Sequence, residues 1–274
     1  MKIDAHQHFW KVDRGDYGWL TPDVGPIYRD FEPEDLAPIL DAAGIDGTVL
    51  VQAAPTVDET VFMLSLADAH GFVKGVVGWV DFESADAPAD IERLARHPAL
   101  VGLRPMIQDI LDPNWMLRDD LAGAFETLNA RDLVFDALVL PKHLKTLAVL
   151  IERYDSMKVV TDHGAKPRIA EGGFSGWAED MARLAENPNV YCKLSGLVTE
   201  AARDWTVEDL RPYTDHLIGI FGPDRLVWGS DWPVCTLAAS YEAWLEATAQ
   251  LIGGLGAGER ELIMGGNARR IYGL

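Results

Sequence analysis

Eight short runs rich in β-branched and apolar residues recur along the chain, at 3–8, 47–52, 75–81, 100–105, 133–138, 158–163, 190–195 and 226–231. Helical stretches separate them, and strands that alternate with helices argue for a parallel sheet. Eight such units argue for closure, so the expected fold class is α/β, a (β/α)8 TIM barrel rather than an open doubly wound sheet. The chain has 274 residues, close to the roughly 250 that one such barrel takes, and residues 1–274 read as one barrel domain. Thr56-Val57-Asp58-Glu59 has the form of a capping box and opens a helix that ends near Gly71. Phe31-Glu32-Pro33 starts another that stops at Gly44, with proline early and glycine late. Further amphipathic stretches fall at about 86–97, 117–130, 141–153, 176–187, 206–221 and 238–253. An extra C-terminal helix is expected at about 258–271. The first βα loop, 9–30, is unusually long and rich in Trp, Tyr, Gly and Pro. It reads as a lid or a subunit contact, which leaves room for a homo-oligomer.

Composition excludes several functions. A formal charge of −19 opposes the counterion release that nucleic acids and anionic membranes exploit, and no basic stripe overrides it. The same field disfavours a multiply anionic substrate, so a neutral small molecule fits better. No run approaches the roughly 18–20 apolar residues of a membrane span. No basic segment followed by an apolar stretch precedes the first strand, so no secretory signal is expected and the cytoplasm is the expected compartment. The two cysteines, Cys192 and Cys235, form no C-x-x-C, read as small buried hydrophobes and fit a reducing environment.

The chemistry-bearing residues gather at strand ends. Asp4, His6 and His8 stand two apart in the first run, a spacing that puts all three on one face of a strand. A carboxylate and two imidazoles on a buried face suggest a metal or proton-transfer site. His6 and His8 end strand one, Arg104 ends strand four, Asp136 lies in strand five, His163 ends strand six, Lys193 lies in strand seven and Asp231 ends strand eight. In barrels of this kind such positions converge on the open face where catalytic groups sit, and so many buried charges are costly as mere packing. Gln52, ending strand two, either binds a hydroxyl or plugs the barrel mouth. Trp10 and Trp232 either stack on a ring or pack a loop. His70, His97, His143 and His216 fall on helices or near their ends and read as surface residues without a catalytic role.

The sequence resembles the amidohydrolase superfamily through D-A-H-Q-H on strand one, D-H-G on strand six and G-S-D-W-P on strand eight. Together, D-A-H-Q-H-F-W, V-G-L-R, D-H-G-A-K-P, C-K-L-S-G-L and W-G-S-D-W-P resemble the branch that contains sugar-lactone hydrolases, across the whole chain. The resemblance implies a metal-dependent-hydrolase-like barrel. It places His6 and His8 at metal-ligand positions, His163 at an electrophile or ligand position and Asp231 at the catalytic base. Two-metal members bridge their ions with a modified lysine or an acid from strand four and add a histidine from strand five, where this chain has Arg104 and Asp136. The implied cofactor is therefore at most one divalent ion, such as Zn²⁺, on His6, His8, His163 and Asp231.

Lactone hydrolysis needs a polarised carbonyl, a deprotonated water and a protonated leaving oxygen. Asp231 can serve as base and then acid, with turnover expected to fall at acid pH as it protonates. The electrophile is His163, a Zn²⁺ ion, or Arg104 and Lys193. The expected activity is hydrolysis of a neutral aldonolactone, such as L-fuconolactone or L-galactonolactone, with Arg104, Gln52, Lys193 and Trp232 as substrate-binding candidates. The rival readings are a dicarboxylate-lactone hydrolase drawing on Arg104, Arg29 and Arg168, a non-oxidative decarboxylase, and a sugar-binding barrel without turnover.

Overall fold

In a computed structural model that describes residues 1–274, the eight runs are eight parallel strands hydrogen-bonded in chain order. They are β1 (Ile3–Gln7), β2 (Gly47–Val51), β3 (Val73–Gly78), β4 (Leu100–Leu103), β5 (Val134–Ala137), β6 (Val159–Thr161), β7 (Val190–Leu194) and β8 (Leu226–Trp228). The seam between β8 and β1 closes just beyond the end of β8. There the Asp231 N–H donates to the His6 carbonyl and the His8 N–H to the Trp232 carbonyl, each at 2.8 Å.

The crossovers carry α1 (Pro33–Ala43), α2 (Val57–Ala69), α3 (Ala87–Leu94), α4 (Ala122–Ala130), α5 (Leu144–Arg153), α6 (Ser175–Ala185), the short α7 (Leu197–Glu200) and α8 (Val207–Phe221). After β8 come α9 (Tyr241–Leu251), α10 (Ala257–Glu261) and α11 (Asn267–Tyr272). None of these helices is long and apolar enough to cross a membrane. The expected helix at 117–130 starts later, behind two 3-10 turns. The expected tail helix breaks into α10, a π-helical turn and α11 at Gly265. A Cβ on Gly265 would lie 2.5 Å from the Met1 carbonyl oxygen and 2.8 Å from the Ile3 nitrogen, so glycine lets the tail press against the start of β1.

A small apolar cluster inside the barrel includes Ile3, Ala5, Val49, Val77, Val134, Val160 and Val227, and Ile271 and Tyr272 of α11 close it from below. The larger apolar core lies between strands and helices. The long first loop is packed rather than loose: Trp10, Tyr17, Leu20 and Ile27 are buried, and the Trp19 indole N–H donates to the Ala53 carbonyl at 2.7 Å. His143 is a correction: it is buried, and its Nδ1 accepts the Leu140 N–H at 3.1 Å.

The capping box at α2 is half made. Thr56 Oγ1 accepts the Glu59 N–H at 3.1 Å, but the Glu59 carboxylate turns away and takes the N–H groups of Ala53 at 3.0 Å and Ala54 at 2.7 Å. Those two buried donors follow β2 directly and have a stronger claim on the acceptor than the helix end. Burial pushes the Glu59 carboxyl from 4.5 up to about 8 despite these donors. A group raised in this way contributes stability in full below its unfolded value, and that contribution is lost as pH rises through the folded value. Glu59→Gln, which keeps the shape and cannot titrate, is therefore expected to gain stability relative to wild type between about pH 5 and pH 8.5. Thermal unfolding of both proteins across that range checks it, and a pH-independent difference in Tm rejects the burial argument.

Candidate active site

The closing seam also assembles the histidine cluster. Asp231 sits just past β8 in left-handed backbone, with φ 60°. Its Oδ1 lies 3.4 Å from His8 Nε2, 3.7 Å from His6 Nε2 and 3.9 Å from His163 Nε2. Burial alone would raise this carboxyl, but the imidazoles, His163 first, outweigh it and hold Asp231 well below the usual carboxylate range. Asp231 is thus an anion at physiological pH. His8 Nδ1 lies 2.7 Å from the Val51 carbonyl; a carbonyl only accepts, so Nδ1 carries a proton and Nε2 is the nitrogen turned toward Asp231 and the cleft.

His163 belongs to four consecutive residues in left-handed backbone, His163, Gly164, Ala165 and Lys166, with φ between 51° and 60°. Its Nδ1 lies 2.8 Å from Ser195 Oγ, and burial lowers its pKa to about 4, leaving the ring neutral. Glycines of the motifs serve close approach: a Cβ on Gly196 would stand 2.6 Å from His163 Nδ1, and one on Gly229 2.6 Å from His6 Cβ.

Beneath this cluster runs a buried charge network. Arg104 forks over Gln52, reaching Oε1 at 2.9 and 3.2 Å and the backbone carbonyl as well. It also pairs with Asp162 Oδ2 at 3.1 Å and lies 3.3 Å from His6 Nε2. Lys193 binds Asp136, reaches Asp162 Oδ1 at 2.9 Å and stands 3.2 Å from His6 Nδ1. The Tyr272 hydroxyl, from α11, donates to Asp136 at 2.8 and 3.0 Å. Two cations and two anions offset one another. Burial pushes Asp136 up to about 6, whereas Asp162, which burial would raise, is held well below its ordinary value by Lys193, His6 and Arg104. Burial first and Lys193 second lower the His6 pKa, so His6 is neutral too.

Asp4 corrects the period-two reading. The β1 register shifts between Asp4 and Gln7, so Ala5 and His6 both face the barrel interior while Asp4 turns outward. There its carboxylate accepts the Ser230 N–H at 2.8 Å and the Tyr241 hydroxyl at 3.0 Å.

A cleft of about 210 Å³ opens at the C-terminal end of the strands, and His8, Arg104, His163 and Asp231 line it. His6 lies directly below. Three other candidates sit behind the wall: Gln52 is committed to Arg104, Lys193 is fully buried under His6, and Trp232 packs edge-on against Phe9 and Phe31. Trp19, Gln108, Lys166 and Thr199 also line the cleft, and the sequence reading passed over them individually, although Lys166 stands inside D-H-G-A-K-P. A larger groove, about 1300 Å³, lies at the opposite end of the barrel and contains none of the histidines.

The donor set fits one metal ion. His6, His163 and Asp231 each offer a ligand atom within 4.8 Å of the others, and His8 Nε2 stands 3.4 Å from the same Asp231 oxygen. Tetrahedral donors bonded to Zn²⁺ at about 2.0–2.2 Å lie roughly 3.3–3.6 Å apart, so the 3.4, 3.7 and 3.9 Å from the Asp231 oxygen to the three imidazoles need only small adjustment. The His8 Nδ1–H bond to a backbone carbonyl is the outer contact that fixes a ligating imidazole.

The family model described as Amidohydrolase matches residues 3–274. An L-fucono-1,5-lactonase from Burkholderia ambifaria is 46% identical over 276 residues, covering 99% of this chain and 95% of that protein. An L-fucono-1,5-lactonase from Burkholderia multivorans is 39% identical over 296 residues, covering 100% and 96%. A solved structure of an amidohydrolase from Burkholderia multivorans with bound zinc superimposes with a TM-score of 0.93 at 38% identity, covering 100% of this chain and 99% of that one.

Proposed function

The chain belongs to the amidohydrolase family, and from that premise we propose that it hydrolyses a neutral aldonolactone, such as L-fuconolactone or L-galactonolactone, to the aldonic acid. The observation that carries the reading is an ionised Asp231 sharing the wall of a small cleft with a neutral His163 and the Arg104 guanidinium. The lactonase relatives support the substrate class.

In this mechanism Asp231 takes a proton from water as the oxygen attacks the lactone carbonyl. The charge that develops on the carbonyl oxygen faces Arg104, held rigidly by Gln52 and Asp162. His163, neutral at working pH, orients the water or the carbonyl by hydrogen bonding. The ring C–O bond then breaks, and the proton on Asp231 passes to the departing alkoxide. Gln52 and Lys193 act from behind the wall, on Arg104 and His6. Trp232 shapes the loop that presents Asp231 and does not reach the substrate. A bound Zn²⁺ would be held by His6, His8, His163 and Asp231 and would supply Lewis-acid polarisation.

The dicarboxylate reading loses ground to the charges on the wall. Arg104 is already neutralised by Asp162, while Arg29 and Arg168 are exposed and lie outside the cleft lining. The two free thiols, Cys192 and Cys235, suit a reducing compartment, so the proposed place of action is the cytoplasm.

Purified protein given a panel of aldonolactones should release protons saturably from one stereochemical series. Asp231→Asn should lower kcat by at least about 10²-fold with folding intact; near-wild-type turnover, or silence across the panel in wild type, rejects the assignment. Because Asp231 stays ionised and His163 stays neutral down to about 4, turnover should hold steady from neutral pH down to about pH 5. An acid limb centred above about pH 6 would assign the base to another group. Metal analysis should find one equivalent of Zn²⁺ per chain, with affinity reduced at least about tenfold in His8→Ala. Unchanged affinity would remove His8 from the ligand set.

A further inference from the structure

The left-handed turn at residues 163–166 holds three residues with a Cβ in backbone that costs roughly 1–2 kcal/mol each. It is tied down twice, by the Lys166 N–H on the His163 carbonyl at 2.9 Å and by the Trp177 indole N–H on the Gly164 carbonyl at 2.7 Å. Its product is geometric: His163 and Lys166, three residues apart, both face the cleft. His163 belongs to the reacting end, which leaves Lys166 to be explained.

Lys166 Nζ lies 3.2 Å from Gln108 Oε1 and 3.3 Å from Glu200 Oε1. The three side chains come from three different βα loops, after β4, β6 and β7, and Lys166 and Glu200 are about one-quarter exposed. A lysine meant to bind an anion would be left without a carboxylate partner. Here Glu200 cancels its charge, and Asp109 adds a further acid to the cleft lining. What remains is a set of donors and acceptors with no uncompensated positive charge: the other ammonium N–H groups and the Gln108 amide. Such a set matches hydroxyl groups, each of which donates and accepts. Trp19, pinned by its bond to the Ala53 carbonyl, also lines the cleft and gives it an apolar face.

We propose that Lys166 and Gln108 read the ring hydroxyls of the substrate, with Glu200 holding and neutralising Lys166 from outside the cleft lining, and so determine specificity for a neutral polyhydroxylated lactone. The proposal rests on the lactonase reading and adds the residues that choose among lactones. A site built to hydrogen-bond a hydroxyl discriminates against the analogue that lacks it, because its polar groups are then left unpaired.

The test compares kcat/KM for L-fucono-1,5-lactone with that for δ-valerolactone, which has the same ring without hydroxyls. Wild type should favour the sugar lactone. Lys166→Met, unbranched like lysine and so no worse in left-handed backbone, should cut that preference at least about tenfold, mainly through KM for the sugar lactone. Gln108→Leu should act in the same direction, so the conclusion does not hang on one variant. Glu200→Gln leaves the ammonium uncompensated and should raise kcat/KM for a carboxylate-bearing lactone, an effect that added salt suppresses. Equal losses on both lactones in the Lys166 and Gln108 variants would make these residues structural and overturn the proposal. A wild type that hydrolyses both lactones equally well overturns the subsite and leaves the lactonase reading standing, whereas a wild type inactive on both and across the aldonolactone panel overturns the two together.

Discussion

Two backbone hydrogen bonds at the β8–β1 seam carry more of this molecule than any others. They run from the Asp231 N–H to the His6 carbonyl and from the His8 N–H to the Trp232 carbonyl, so the bonds that close the barrel are made by the residues of the active centre. Closure and catalytic geometry are therefore one event: a slip of β8 against β1 would separate the carboxylate from its imidazoles while opening the barrel. The surroundings enforce the register. Gly229 removes the Cβ that would strike His6, Asp4 holds the Ser230 N–H from outside, and Tyr241 of α9 holds Asp4. Burial pushes Asp4 up to about 6, so a group outside the cleft shares the electrostatic cost of the seam.

Inside the barrel the problem is charge rather than register. Buried ions are tolerated only with partners and hydrogen bonds, and Arg104, Lys193, Asp136 and Asp162 meet that condition collectively. Arg104 and Lys193 share Asp162, and Tyr272 completes Asp136 from the end of the chain. Because the network is neutral as a whole, loss of any one member leaves an unpaired buried charge. The C-terminal helix thus serves the site as well as plugging the barrel, since its tyrosine hydroxyl is the network's outermost hydrogen bond.

The strands and most of the helices were legible because their signals are local: apolar runs of strand length, a proline at a helix start, a glycine at its end. His6, His8, His163, Arg104 and Asp231 were legible because titratable residues at strand ends have few other uses. Depth was not legible. Lys193 and Gln52 occupy the expected strands, yet one lies under His6 and the other behind Arg104, because spacing along a strand does not say which layer of the barrel a residue fills. Asp4 was misread because a register shift breaks the two-residue period and leaves no mark in the sequence. Glu59 shows the same limit at α2: its motif forms the hydroxyl half of the box, while two buried N–H groups from the preceding loop decide where the carboxylate goes. Lys166 was hidden for a related reason, since nothing in local propensity announces left-handed backbone at His163, Ala165 and Lys166.

The electrostatics of the whole chain and of the cleft point the same way. A net charge of −19 sets up a field that leaves an uncharged lactone indifferent and disfavours anions near the surface. On the proposed reaction each turnover converts a neutral ligand into an aldonate beside Asp231 and Asp109, with the positive groups nearby already paired to Asp162 and Glu200. The product is therefore held less well than the substrate by the groups that admitted it. A freely available cation in the cleft would strengthen carbonyl polarisation and would also retain the carboxylate it helps to make. Pairing Arg104 and Lys166 with acids keeps their positive ends at the cleft wall while removing most of that product affinity.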